Sequence, residues 1–324
     1  MNRRLGLFGG LAALGLAGLG AAGLMIRRQR AAGPDPLPQM SDADFAAAHP
    51  ALPAPDSALR VFHLGHSLVG RDMPAMLAQL APPGHEYASQ LGWGATLRAH
   101  WSGPDEVPGF DQENAHPAHR PVRDALASGD YDALVLTEMV ELRDAIKWHA
   151  SGNYLAEWAR FARRARPDIR IYLYETWHSL DDEAGWLKRI DEDAVTLWQD
   201  QVMRRAMSAQ GVGAIYRVPG GPALAAVARA AEAGDLPGLD GREGLFAQTP
   251  EGQTDTIHLG DLGSYVIALT HYAVLYQRDP QGLPAQLNRA DGSAAQAFQP
   301  RTAARVQRLV WRVVSTDPLS GVAA

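Results

Sequence analysis

Three short fragments of the chain combine residue types suited to acyl-transfer chemistry. Gly65-His66-Ser67-Leu68 closes an apolar, β-favouring run that starts at Leu59, and it leads into Arg71 to Leu80, whose apolar positions 73, 76, 77 and 80 have helical spacing. A serine at such a strand-to-helix junction lies where free backbone N–H groups and the helix dipole favour negative charge. Ser67 is thus a candidate nucleophile, while capping a helix is the common alternative use of serine there. In Asp255-Thr256-Ile257-His258-Leu259 the carboxylate precedes the histidine by three residues. It can accept the imidazole Nδ1–H and fix the tautomer whose Nε2 takes a hydroxyl proton. Taken alone, the pair also fits a solvated aspartate beside a surface histidine. In Gly92-Trp93-Gly94-Ala95-Thr96, glycine lets a backbone N–H approach a substrate carbonyl closely, or simply makes a turn.

The elements that must position these residues read as strands alternating with helices. Strands are expected at Leu59 to Gly65, Glu86 to Leu91, Asp132 to Thr137, Ile169 to Tyr174 and Ala214 to Val218. Helices are expected at Arg71 to Leu80, Tyr154 to Arg166, Asp193 to Gln210, Pro222 to Ala233, Leu262 to Tyr276 and Arg301 to Val314. The tryptophan and methionines of 193–210 read as core. This alternation predicts a parallel sheet covered on both faces, with the ligand site beyond the carboxyl ends of the strands. All three fragments but the Asp255–His258 pair directly follow a predicted strand.

In this order and placement, the G-x-S-L, Gly-rich-turn and D-x-x-H-L fragments resemble the SGNH (GDSL-like) hydrolase superfamily over roughly residues 59–278. The resemblance implies a three-layer α/β/α sandwich with a five-stranded parallel, flavodoxin-like sheet, and a cofactor-free esterase, lipase, thioesterase or carbohydrate O-acetylesterase. By position it implies Ser67 as nucleophile, His258 as general base and acid, and Asp255 as its orienter. The backbone N–H groups of Ser67 and Gly94 would form the oxyanion hole. Two positions depart from the family pattern. His66 stands where the family has Asp, and Leu136-Thr137-Glu138-Met139-Val140-Glu141 replaces the Gly-x-Asn-Asp block whose Asn donates to the oxyanion. An ionised Glu138 would repel an oxyanion, so it should point away, be protonated, or hold the loop. Thr137 or Asn153 is a candidate replacement donor.

Further candidates are weaker. Glu175-Thr176-Trp177-His178 follows the fourth strand at the expected mouth of the site. Trp93, Thr137, Glu138, Trp177 and His178 are therefore candidate pocket residues. Trp93 and Trp177 would suit stacking on a sugar ring, or would cover the core. His116 and His119 flank a proline that breaks a helical face, with no carboxylate cluster nearby, so no metal site is expected.

Cysteine is absent, which excludes disulfide scaffolds, thiolate metal sites and a cysteine nucleophile. Residues 1–30 hold five Arg and no acid while the whole chain is −6, so the remainder is strongly acidic, against nucleic-acid binding. Leu5 to Ile26 is an uncharged run of 22 residues between Arg pairs, long enough at about 1.5 Å per residue to cross a bilayer. Asn2-Arg3-Arg4-Leu5-Gly6-Leu7 also resembles a twin-arginine export signal. The expected organisation is an N-terminal apolar helix at 1–30 (anchor or signal), a linker at 31–58, and a hydrolase domain at 59–318. The globular part is expected in the cell envelope, outside the cytoplasm, attached to the membrane through residues 5–26. The expected activity is hydrolysis of a carboxylic ester, with an O-acetylated glycan favoured. A non-catalytic glycan-binding or assembly protein and an O-acyltransferase are the alternatives.

Overall fold

Five parallel strands form one sheet in the computed structural model, which describes residues 34–323. They are β1 (Arg60–Leu64), β2 (Glu86–Gln90), β3 (Ala133–Leu136), β4 (Arg170–Glu175) and β5 (Ile215–Pro219), ordered β2-β1-β3-β4-β5. Side chains alternate across the sheet. Val61, Val135, Tyr172, Tyr174 and Val218 join one apolar core with the helices Asp72–Leu80, Gly220–Glu232, Asp261–Tyr276 and Pro300–Thr316. Phe62, Leu64, Leu134, Leu136, Ile171 and Leu173 join a second core with Val122–Ala127, Ser151–Ala165 and the helical stretch containing Trp198 and Met203. Helices therefore cover both faces, as a fully apolar parallel strand such as β3 requires. Asp261–Tyr276 is buried on nearly every side, which explains an apolar helix without an outer polar face.

The chain passes from β1 to β2 on one side and to β3 on the other. The crevice between the carboxyl ends of β1 and β3 is the switch point where doubly wound sheets bind ligands.

Several expectations change. Ser67 is not at a helix N-terminus: it lies in a turn closed by Val69 N–H to His66 O at 2.9 Å, and the helix begins only at Asp72. The helix expected at 193–210 starts earlier, at Trp186, and its central part Ala194–Met203 is a π-helix. The wider π turn brings Trp198, Val202 and Met203 into the core and leaves Val195 at the surface, which a 3.6-residue period does not foresee. Asp255 and His258 sit on β7 (Thr254–Leu259), which pairs antiparallel with β6 (Phe246–Gln248), a hairpin the sequence reading did not include.

The linker expected at 31–58 is, from residue 34 on, laid against the domain instead of tethering it freely. Asn153 donates to Asp35 O at 3.0 Å, Arg204 Nη2 to Met40 O at 2.6 Å and Arg170 to Pro53 O at 2.9 Å. Phe45 of the helix Asp42–Ala47 is buried. Arginine donors capture its free carbonyls, so its Ala- and Pro-rich composition does not keep it extended in water. The expected apolar helix at 1–30 lies outside the described residues. Among the described residues, no helix is long and apolar enough to cross a membrane.

Candidate active site

Ser67, His258 and Asp255 meet at the carboxyl end of β1. His258 Nε2 is 3.1 Å from Ser67 Oγ, and His258 Nδ1 is 3.0 Å from Asp255 Oδ2. Residues three apart on a straight strand face opposite sides, so this pair needs a bend. Asp255 supplies it. Its Oδ1 accepts the N–H groups of Ile257 and His258, both at 2.8 Å, an Asx-type turn that folds the imidazole back over the carboxylate. Partial burial works against ionisation of Asp255, but the N–H groups of His258 and Ile257 and the imidazole outweigh it and hold the carboxyl below the ordinary Asp value.

The loop after β4 helps fix the height of β7. Trp177 Nε1–H donates to Ile257 O at 2.8 Å and Leu180 N–H to Thr256 O at 2.8 Å, while Ser179 Oγ, which donates to Asp181 at 2.6 Å, accepts the Thr256 hydroxyl at 2.9 Å. Trp177 is buried, so its indole does not offer a face to a sugar ring; its edge lines a pocket of about 100 Å³ together with Ser67, Met73, His258 and Ile267.

The nucleophile turn leaves β1 through Gly65. A Cβ there would stand 2.4 Å from Thr137 Cγ2 and 3.1 Å from Val69 Cγ2, so only glycine lets the ends of β1 and β3 approach this closely. Gly94 has a left-handed φ of +53°, natural for glycine and strained for other residues. The backbone N–H groups of Ser67 and Gly94 make no hydrogen bond to any described residue. A cleft of about 580 Å³ opens beside Gly94, lined among others by Thr96, Arg98, Glu106, Met139 and His149. Half-exposed Trp93 lies against Gly109 and donates to Glu113 Oε1 at 2.7 Å.

Three of the expected pocket residues are corrected. Thr137 is buried and donates to Tyr174 O at 2.7 Å. His178 is buried 3.2 Å from Asp193, within the charge cluster around Arg189. Glu138 is fully buried, and its Oε1 accepts the N–H groups of Met139 at 2.9 Å and Leu97 at 3.3 Å. It therefore holds the Gly94 loop rather than facing substrate. Burial pushes its carboxyl up to about 7, against the opposing pull of the Met139 N–H, the Ser151 hydroxyl and the Leu97 N–H. Of the replacement donors, Thr137 is engaged as stated and Asn153 points to Asp35. Neither supplies the donor missing from the Gly-x-Asn-Asp block.

His66 is buried beside the nucleophile but turned away from it. Its Nε2–H donates to Glu138 O at 2.7 Å and its Nδ1 accepts Leu68 N–H at 3.3 Å. Three residues with a part in the site carried no sequence signal. His100 Nε2–H donates to Gly65 O at 2.8 Å, Gln90 donates to His100 Nδ1 at 3.0 Å, and Asn114 pairs with both backbone groups of Leu91. Each acts across loops distant in sequence, so no local spacing announces it. Among the described residues, no group of three or more His, Asp and Glu converges as a metal site.

Comparison of the chain with protein-family models, with curated proteins and with solved structures found no match.

Proposed function

We propose that this chain is a serine-dependent carboxylic ester hydrolase of the SGNH type, with a flavodoxin-like α/β/α sandwich. The observation that carries this reading is the Ser67–His258–Asp255 relay, with links of 3.1 and 3.0 Å at the switch point of the sheet. Ser67 Oγ attacks the ester carbonyl while His258 Nε2 takes its proton, and Asp255 stabilises the imidazolium through Nδ1–H. The N–H groups of Ser67 and Gly94 receive the oxyanion. His258 then protonates the leaving alkoxide, and an acyl group remains on Ser67. Water, deprotonated by the same imidazole, releases the acid. Relative to a hole with a third, side-chain donor, this arrangement gives up about 3–4 kcal/mol, or 10²–10³ in rate.

The polar lining of the cleft beside Gly94 and the open face of Trp93 favour a polar, ring-bearing ester such as an O-acetylated glycan. The uncharged run at 5–26 supports membrane attachment and a place in the cell envelope. The test is p-nitrophenyl acetate turnover by the full chain against Ser67→Ala, with mass spectrometry of the trapped acyl-enzyme. Turnover and a Ser67 adduct that both vanish in the variant are expected. Equal rates for the two proteins would instead favour a glycan-binding role, and transfer of the acyl group to sugar rather than water would favour an O-acyltransferase.

A further inference from the structure

The nucleophile turn, the loop after β2 and the end of β3 are stitched together by side chains that take no part in the relay. His100, on the helix Leu97–Ser102 that follows the Gly94 loop, holds Gly65 O at 2.8 Å. His66 holds Leu68 N–H at 3.3 Å and Glu138 O at 2.7 Å. Glu138 Oε1 returns to Leu97 N–H at 3.3 Å, closing the circuit. We propose that His66, His100 and Glu138 are positioning residues, a closed clamp that sets the spacing between the Ser67 and Gly94 N–H groups and so builds the oxyanion hole without the missing asparagine. The clamp rests on the ester-hydrolase reading for its catalytic consequence but not for its geometry.

The hydrogen-bond directions dictate the charge state. Both imidazoles donate from Nε2 to a carbonyl and accept at Nδ1, so both must be neutral Nε2–H tautomers. Protonation at His66 Nδ1 would set two donors, Nδ1–H and Leu68 N–H, against each other. Burial agrees with this requirement, pushing each histidine down to about 4. Glu138 Oε2 is buried and takes no backbone N–H, with only the Ser151 hydroxyl as a polar neighbour. The clamp therefore uses one carboxyl oxygen, and a neutral amide can replace it.

The test compares Glu138→Gln with Glu138→Ala, and His66→Gln with His66→Ala, in the full chain. Glu138→Gln keeps an acceptor for Leu97 N–H, and His66→Gln keeps an N–H donor for Glu138 O, the bond that ties the turn to the end of β3. The conservative variants should retain kcat within about 3-fold, whereas the alanines should lose about 10- to 100-fold in kcat with KM nearly unchanged, the cost of a misplacement near 1 Å. Alanine variants with wild-type kcat, or conservative variants as impaired as the alanines, would overturn the clamp. Should a variant fail to fold, ¹⁵N-imidazole spectra of the wild-type chain decide. Neutral Nε2–H tautomers for His66 and His100 persisting to pH 5 support the clamp, and ordinary titration near pH 6.5 overturns it. Those spectra need no turnover, so they separate failure of the clamp from failure of the hydrolase reading.

Discussion

Replacing Asp255 by Asn tests the relay at the point where geometry and charge can be separated. The amide oxygen can still accept the Ile257 and His258 N–H groups now held at 2.8 Å, so the bend of β7 should survive. The other carboxylate oxygen becomes an NH₂ group, 3.0 Å from Nδ1. Nδ1 must then accept, the proton moves to Nε2, and the face toward Ser67 can no longer take its proton. In a buried relay the wrong tautomer costs about 10⁴ in kcat. Here the His258 and Asp255 side chains are 47% and 30% exposed, so water competes for both partners and weakens the tautomer bias. A charge-assisted hydrogen bond is worth about 1.5–3 kcal/mol, so its loss alone gives about 10- to 100-fold. A kcat loss of about 10³ lies between these bounds, with KM changed little because Asp255 acts through His258. Stopped-flow p-nitrophenyl acetate hydrolysis, normalised to active sites labelled by a fluorophosphonate, measures it. A variant that keeps more than a third of wild-type kcat, while Ser67→Ala is inactive, would refute the assigned role of Asp255.

Gly94→Ala meets no atom within 4 Å but must adopt φ +53°, so about 1–2 kcal/mol of strain should appear as a lower Tm or as a rotated peptide with reduced kcat. An unchanged Tm together with an unchanged kcat would show that the chain does not hold position 94 at a left-handed φ. Trp177→Phe leaves Ile257 O without its donor and should cost about 1–3 kcal/mol by urea denaturation, with kcat falling as β7 loosens; an unchanged midpoint speaks against this strut. Acid should destabilise the fold: burial lowers His63, His66, His85, His100 and His271, so their contribution is complete above pH 6.5 and is lost as pH falls toward 4. The buried carboxyls of Glu138 and Glu175, raised to about 7 and about 8, act in the opposite sense. Five histidines against two carboxyls leave a net fall in Tm between pH 6.5 and 4, and a flat calorimetric Tm there would contradict it. Glu138→Gln should stabilise the chain at pH 8, by up to about 3 kcal/mol, and not at pH 4.5, because the cost of a raised carboxyl builds up only above its unfolded value.

The parallel sheet was legible in the amino-acid pattern. Strands such as Ala133–Leu136 are apolar on both faces, and that pattern has few other homes. It also carried the relay's three residue types, because a serine after the first strand and a D-x-x-H near the end are local patterns. Their meeting came from packing, since Ser67 and His258 are 191 residues apart and β7 is placed by the loop after β4 together with its pairing to β6. The fate of Glu138, His178 and Trp177 was likewise beyond the sequence. A carboxylate, an imidazole or an indole after a strand can face a cleft or be buried among partners, and the choice depends on which distant N–H groups and carbonyls arrive beside it. The π turn of Ala194–Met203 and the capture of residues 34–58 by arginines share that cause. Periodicity reports which residues prefer to leave water, whereas packing between segments far apart in the chain decides which of them can.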